Sequence, residues 1–369
     1  MDEIDWSSRM IGIKGGRGCG KTTFLLQYAK ERFGHDRSCL YINMNNLYFQ
    51  GRGIADFAGE FCKIGGKVLL IDQVFKHPEW SSELRKCYDK YPNLKIVFTG
   101  SSVMRLKEEN PELNGIADSY QLRGFSFREF LKLQAGVDIN YYSLDDILIN
   151  HKEIAADILS KVSPNDYFQD YLHHGFYPFF LEKTNFSENL LKTMNMIMEV
   201  DILLIKQIEL KYLPKIKKLF YLMGLEGTLS PNVSQLAIDI DTSRATVMNY
   251  IKYLADARLI NMVYYKGDSF PKKPARILMY NSNLIYTIYP PSFERQDVLD
   301  TFFVNALWRD HIVHNAEKNA TFLVDGHIPF KIVSDDVRPK KNSDMYYAVD
   351  ELDSGEGKII PLWMFGLLY

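Results

Sequence analysis

An α/β fold built on a mostly parallel sheet is predicted by two features of the sequence. In the first third of the chain, short apolar runs alternate with segments of helical periodicity, which is typical of parallel strands joined by crossover helices. The predicted strands cover residues 9–14, 38–44, 67–72, 95–102 and 119–124. After residue 125 helical patterns dominate, so a mainly helical part should follow the sheet.

The composition limits the classes of protein to consider. The chain has 369 residues, of which 46% are hydrophobic, enough for two or three domains with their own cores. Its formal net charge of −2 provides no global attraction to nucleic acid, so such a role would need a local cationic patch. We find neither a signal peptide nor an apolar run long enough for a membrane helix. None of the four cysteines forms a C-x-x-C pair, and we expect a reducing cytoplasm.

The first predicted strand runs directly into a glycine-rich loop that opens the first predicted helix. The loop satisfies the pattern G-x-x-x-x-G-K-[ST], in which glycines let backbone N–H groups turn towards phosphate oxygens. Lys21 would reach the β- and γ-phosphates, and the Thr22 hydroxyl would bind Mg²⁺. The sequence therefore predicts ATP and Mg²⁺ as ligands. The residues predicted to bind the nucleotide are Gly15, Gly16, Arg17, Gly18, Cys19, Gly20, Lys21, Thr22 and Thr23.

An aspartate at the end of the third predicted strand completes the predicted site. Asp72 follows the apolar run VLLI, as the carboxylate that supports Mg²⁺ does in such sites. The next residue, Gln73, occupies the position of the glutamate that deprotonates the attacking water. An amide can orient water but cannot accept its proton, and losing a general base costs roughly 10²–10⁴ in rate. We therefore expect ATP to bind and hydrolysis to be impaired.

Two origins of Gln73 remain open on the sequence. A natural glutamine would make the protein a nucleotide-stabilised scaffold or switch. An engineered Glu→Gln change would make it a hydrolysis trap, and the intact remainder of the site favours this origin. Further along, Thr99 and Ser101 end the fourth predicted strand, where a polar group can sense the γ-phosphate.

The second part of the chain contains a helix–helix–helix–strand pattern that resembles a winged helix. Its helices are predicted at 214–224, 233–240 and 244–259, followed by strands on either side of the segment KGDSFPKKPAR. The third helix would read DNA, and cations near it would contact phosphates. The candidate nucleic-acid residues are Arg244, Lys252, Lys272 and Lys273. A packing or protein-contact role for the same unit stays open. A Ser126…Glu129 capping box marks the start of the helical part.

Four segments carry a resemblance to a known family. GGRGCGKTT, LLID with the position after it, KIVFTGSS and LRGFSFREFL, in this order and spacing, resemble the AAA+-type prokaryotic ATPases. More narrowly, the chain is similar to bacterial and archaeal ATPases whose P-loop domain precedes a helical lid, a winged helix and a nuclease-like C-terminal domain of unknown function. The resemblance implies a P-loop ATPase core at 1–124, a lid at 125–205, a winged helix at 206–282 and a small α+β domain at 283–369.

The resemblance also implies an oligomer in which a neighbour supplies an arginine. Relatives usually carry Asp-Glu where this chain has Asp72-Gln73, and many carry arginines before the fifth strand that are missing here. Arg105 and Arg123 are the remaining candidates for a finger or sensor. In the C-terminal domain, Asp300 and Asp325 lie near positions expected of a nuclease, but no acidic residue heads the Lys331 segment, which predicts a degenerate nuclease fold.

Two hypotheses for function follow from the sequence. The first is an AAA+-type ATPase that couples its nucleotide state to a partner, either DNA or another protein, with turnover decided at Gln73. The second is a naturally non-hydrolysing, ATP-dependent scaffold or DNA-binding regulator. Phosphate release by the chain and by Gln73→Glu would distinguish them.

Overall fold

The chain forms two compact units, residues 1–124 and 125–369. A computed structural model describes residues 4–104, 110–182, 185–226, 230–288, 294–317, 319–334 and 344–369. Within these ranges, no helix combines the length and the apolar character that crossing a membrane requires.

The first unit is a five-stranded, fully parallel sheet with strand order β2-β3-β4-β1-β5. Its strands are β1 (Met10–Gly15), β2 (Cys39–Asn43), β3 (Val68–Asp72), β4 (Lys95–Ser101) and β5 (Asp118–Leu122). The connecting helices are α1 (Lys21–Arg32), α2 (Ile54–Lys63) and α3 (Trp80–Lys90). The predicted parallel α/β core is therefore confirmed.

The core of this sheet explains why the strands are apolar throughout. β3 is buried at every position, and Leu70 packs with Ile11, Val97 and Leu25 of α1 in one cluster. Strands of a parallel sheet have both faces covered, so they lack polar alternation. Parallel strands all end at the same edge of the sheet. The last residues of β1, β3 and β4 therefore lie close together at that edge.

The second unit begins with helices. They are α4 (Phe127–Ala135), α5 (Leu144–Leu159), α6 (Asn165–Asp170), α7 (Phe186–Met196), α8 (Leu203–Lys206), α9 (Leu213–Glu226), α10 (Val233–Asp239) and α11 (Arg244–Asp256). The predicted capping box is confirmed at the start of α4, where Ser126 Oγ accepts from the Glu129 amide and Glu129 accepts from the Ser126 amide. Single π-helical stretches at 171–175 and 197–202 interrupt the regular helices.

Two sheets complete the second unit. β6 (Ile260–Val263) and β7 (Arg276–Met279) form an antiparallel pair, and α12 (Ser282–Ile288) and α13 (Arg295–Leu307) follow. The last sheet has the order β12-β11-β10-β9-β8 and mixes parallel with antiparallel pairs. Its strands are β8 (Val313–Asn315), β9 (Phe322–Val324), β10 (Ile328–Val333), β11 (Tyr346–Val349) and β12 (Ile359–Pro361).

Contacts between distant segments hold the second unit together. The buried Asn283 side chain of α12 donates to the carbonyls of Tyr171 and Leu172 and accepts from the Phe176 amide, at 2.9–3.1 Å. These bonds join α12 to the π-helical stretch at 171–175 and to the residue that follows it. The lid, winged-helix and C-terminal boundaries expected within this unit stay a prediction.

Candidate functional site

The loop between β1 and α1 requires glycine at several positions. Gly18 and Gly20 have φ values of 86° and 90°, in the left-handed region that side chains disfavour. At Gly15, an added Cβ would lie 2.5 Å from the Leu122 carbonyl oxygen on β5. At these glycines no side chain covers the backbone of the loop. The loop lies beside the N-terminus of a twelve-residue helix, whose first N–H groups attract anions.

The predicted phosphate-binding lysine lies over this loop. Its Nζ donates to the carbonyl oxygens of Gly15 and Gly16, at 2.8 and 2.7 Å. The ammonium is thus held at the loop by neutral acceptors, which a phosphate can replace with a stronger, charge-assisted bond.

Asp72 links the end of β3 to the first turn of α1. It is 1% exposed, and its Oδ2 accepts from Thr22 Oγ1 at 2.7 Å. The same oxygen accepts from the Tyr41 hydroxyl at 2.9 Å and from Asn43 Nδ2 at 3.3 Å. Oδ1 accepts from Thr99 Oγ1. Four protein donors therefore hold this buried carboxylate in one orientation.

Tyr41 and Asn43 are members of the site that the sequence did not single out. They alternate along β2, and Asn43 is paired with Asp72 in the register between β2 and β3. Burial raises the pKa of Tyr41, and the Asp72 carboxylate raises it further, so its hydroxyl remains a donor at neutral pH. The signal available was the spacing of two polar residues on the strand that precedes the aspartate strand.

Gln73 leaves β3 in the left-handed conformation, with φ 55° and ψ 45°. Its N–H donates to Thr99 Oγ1 at 2.9 Å, so Thr99 joins the backbone of Gln73 to the carboxylate of Asp72. The side chain of Gln73 is partly exposed. Residues other than glycine seldom adopt the left-handed conformation, and those that do are concentrated at functional sites.

The residues considered as sensors of the γ-phosphate have different surroundings. Thr99 is fully buried with its hydroxyl committed to Asp72 and Gln73, which suits a positioning role. Ser101 ends β4 in register with Gly15, and its Oγ accepts from the Val103 amide at 3.4 Å. Arg105 lies outside the described residues.

The donor set fits magnesium with a nucleotide. The described residues contain no group of three or more His, Cys, Asp or Glu side chains that could hold a metal ion. Mg²⁺ needs no such cage, since it keeps several waters and binds through one or two protein oxygens plus substrate phosphates. Thr22 and Asp72, the two residues predicted to bind the metal, have oxygens at this position beside the glycine loop.

The nucleic-acid candidates fall into two pairs. Lys252 on α11 forms an ion pair with Asp256 at 2.8 Å, and Lys272 forms one with Asp268 at 2.7 Å. Arg244 and Lys273 are exposed, and among the described residues neither has an acidic partner. Each paired lysine has its acid four residues away along the chain, whereas neither Arg244 nor Lys273 has an acid at that spacing.

The two acidic residues considered for a nuclease site, Asp300 and Asp325, have separate partners. Asp300 on α13 is 2% exposed and accepts from Arg276 at 3.2 Å and Gln296 at 2.7 Å. Burial raises its pKa to about 7. Asp325, in the turn between β9 and β10, instead accepts from the Ile312 amide and contacts His311. These contacts are structural, and the degenerate nuclease fold stays a prediction.

Comparisons with known proteins support the prediction of a P-loop nucleotide-binding domain in the first unit. Residues 7–131 match a family model described as an AAA domain, and residues 165–276 match one described as a domain of unknown function. An uncharacterized protein of Methanocaldococcus jannaschii is 29% identical over 275 residues, which is 70% of this chain. The chain spans 57% of the length of that relative.

A solved structure of AMPPCP-bound DnaA from Aquifex aeolicus also matches, covering 69% of this chain and 84% of its own. Its TM-score of 0.26 and identity of 15% are too low to support an argument. The first unit thus combines the parallel sheet and phosphate loop of a P-loop nucleotide-binding domain with a sequence match to the AAA type.

Proposed function

We propose that the first unit binds ATP with Mg²⁺ and that Gln73 suppresses its hydrolysis. The observation that carries the binding proposal is the 2.7 Å bond between Thr22 Oγ1 and Asp72 Oδ2, directly behind the left-handed glycines of the loop. The loop amides and Lys21 would hold the phosphates. Thr22 would contact the metal, which neutralises phosphate charge when bound, and Asp72 would orient that hydroxyl.

The role of Gln73 follows from its position and its chemistry. Its backbone is tied to Thr99, so its side chain leaves the strand at a fixed point next to Asp72. An amide at that point can hold a water molecule but cannot take its proton. Binding would be retained, because none of the binding contacts depends on residue 73.

Binding is tested by calorimetry with ATP in the presence and absence of Mg²⁺. Thr22→Ala should abolish the Mg²⁺-dependent part of the affinity, and Thr22→Ser, which keeps the hydroxyl, should restore it. Lys21→Ala should weaken binding with or without the metal. No heat with wild-type protein would contradict the proposal.

Turnover is tested separately by phosphate release. If the chain is a disarmed enzyme, Gln73→Glu should raise the rate by roughly 10²–10⁴, while Gln73→Ala stays inactive. Tight ATP binding with no turnover in Gln73→Glu would instead favour the scaffold, the second candidate function.

The remaining parts of the proposal concern assembly. We propose a cytoplasmic homo-oligomer in which nucleotide state is passed through the second unit to a partner, with the helices α9–α11 and strands β6–β7 acting as a winged helix. The order of these elements supports the winged-helix assignment. The mass of the particle measured with and without ATP tests the oligomer.

A further inference from the structure

A cleft lies between α11 and the loop 264–275, which we call the basic loop. Its volume is about 330 Å³. One wall is the exposed N-terminal half of α11 and the other is the basic loop. Its lining includes Arg244, Met248, Asn249, Phe270, Pro271 and Lys273.

The charges at this cleft are the ones left without acidic partners. Arg244 has no hydrogen bond or ion pair in the described part of the chain, and Lys273 contacts only the Ser230 hydroxyl there, at 3.4 Å. The neighbouring acid Asp241 is paired with Lys215 at 3.4 Å. The two walls therefore present one uncompensated cation each.

The remaining lining is apolar or neutral. Met248 comes from the helix, and Phe270 and Pro271 come from the basic loop. A surface that combines separate cations with apolar contacts suits a sugar–phosphate backbone, whose charged phosphates alternate with apolar sugar faces.

A second cleft on the other side of the basic loop extends this surface. Its volume is about 440 Å³, and it shares Lys273 with the first cleft. It adds Tyr265, the Lys272–Asp268 ion pair and Arg276, whose guanidinium contacts Asp300. Asn315 also borders it, is 8% exposed, and has an Oδ1 without a hydrogen-bond partner among the described residues. A sugar hydroxyl or base amino group would satisfy this acceptor.

We propose that duplex DNA binds here, with its backbone in the cleft between α11 and the basic loop and with Arg244 and Lys273 each neutralising one phosphate. The first turns of α11 expose Arg244 and Asn249, whereas Asp256 neutralises Lys252 in the last turn. DNA-reading helices contact bases through their N-terminal residues, which matches this polarity. The proposal does not depend on ATP binding and is tested without nucleotide.

The experiment measures binding of a labelled duplex as a function of salt. Arg244→Ala and Lys273→Ala should each reduce the slope of log K against log salt by about 0.9, the value for one phosphate contact. Lys252→Ala and Lys272→Ala remove the same charge from neutralised positions and should leave the slope unchanged. Equal effects of all four variants would overturn the proposal, because they would report net charge alone.

Further arms test folding and the identity of the ligand. Arg244→Lys and Lys273→Arg keep the charge and should keep the slope, and circular dichroism should show all variants folded. Failure of wild-type protein to bind duplex at low salt would overturn the proposal. So would tighter binding of single-stranded DNA.

Discussion

Replacing Tyr41 with phenylalanine tests whether the Asp72 carboxylate depends on donors from β2. The change removes one hydroxyl that donates to Oδ2 at 2.9 Å and leaves Thr22 and Asn43 as donors to that oxygen. Hydrogen bonds to charged groups contribute about 1.5–3 kcal/mol. Because Tyr41 is partly exposed and water can replace its hydroxyl in part, we expect the lower end, about 1.5 kcal/mol.

Urea unfolding monitored by circular dichroism measures this loss. Tyr120→Phe is the matched control, since it removes from β5 of the same sheet a hydroxyl that accepts from the neutral Asp5 amide at 3.0 Å. We expect the control to cost less than Tyr41→Phe. A free energy of unfolding for Tyr41→Phe within a few tenths of a kcal/mol of wild type, or an equal loss in the control, would refute the reasoning.

Two further predictions concern packing and pH. Gly15→Ala should destabilise the first unit by about 1–3 kcal/mol in urea unfolding, because its Cβ would meet the Leu122 carbonyl oxygen at 2.5 Å. Gly51→Ala is the control, with no atom within 4 Å of its added Cβ, and a similar loss there would contradict the prediction. Burial raises the pKa of Asp300 from 3.8 to about 7, so the folded state binds the extra proton between these values. The stability this confers is complete below pH 3.8 and is lost as pH rises through 7, by up to about 1.4 kcal/mol per pH unit. Asp300→Asn should flatten that part of the profile, and an unchanged slope would show that another group titrates.

Local sequence was sufficient wherever one short segment carries its own constraint. The glycine loop, the apolar strand ending at Asp72 and the Ser126 capping box each depend on residues a few positions apart. In these cases the backbone preference and the chemistry point to the same structure, so the pattern can be interpreted without the fold.

The rest of the candidate site depends on contacts between segments. Thr99 stays a predicted sensor at a strand end, and the structure adds that its hydroxyl is buried between Asp72 and the Gln73 amide. Tyr41 looked like an ordinary strand residue until the register placed its strand beside the aspartate strand. Neither relation follows from spacing along the chain, because strand order is set by packing of the whole sheet.

By itself, the sequence determined the parallel α/β core, the phosphate loop and the amide at residue 73, since covalent identity and local periodicity encode all three. Only the tertiary structure decided which donors surround Asp72 and which of the candidate cations form no ion pair with an acidic side chain. Hydrogen bonds and ion pairs require atoms within about 3–4 Å, and the fold, rather than the order of residues, brings those atoms together.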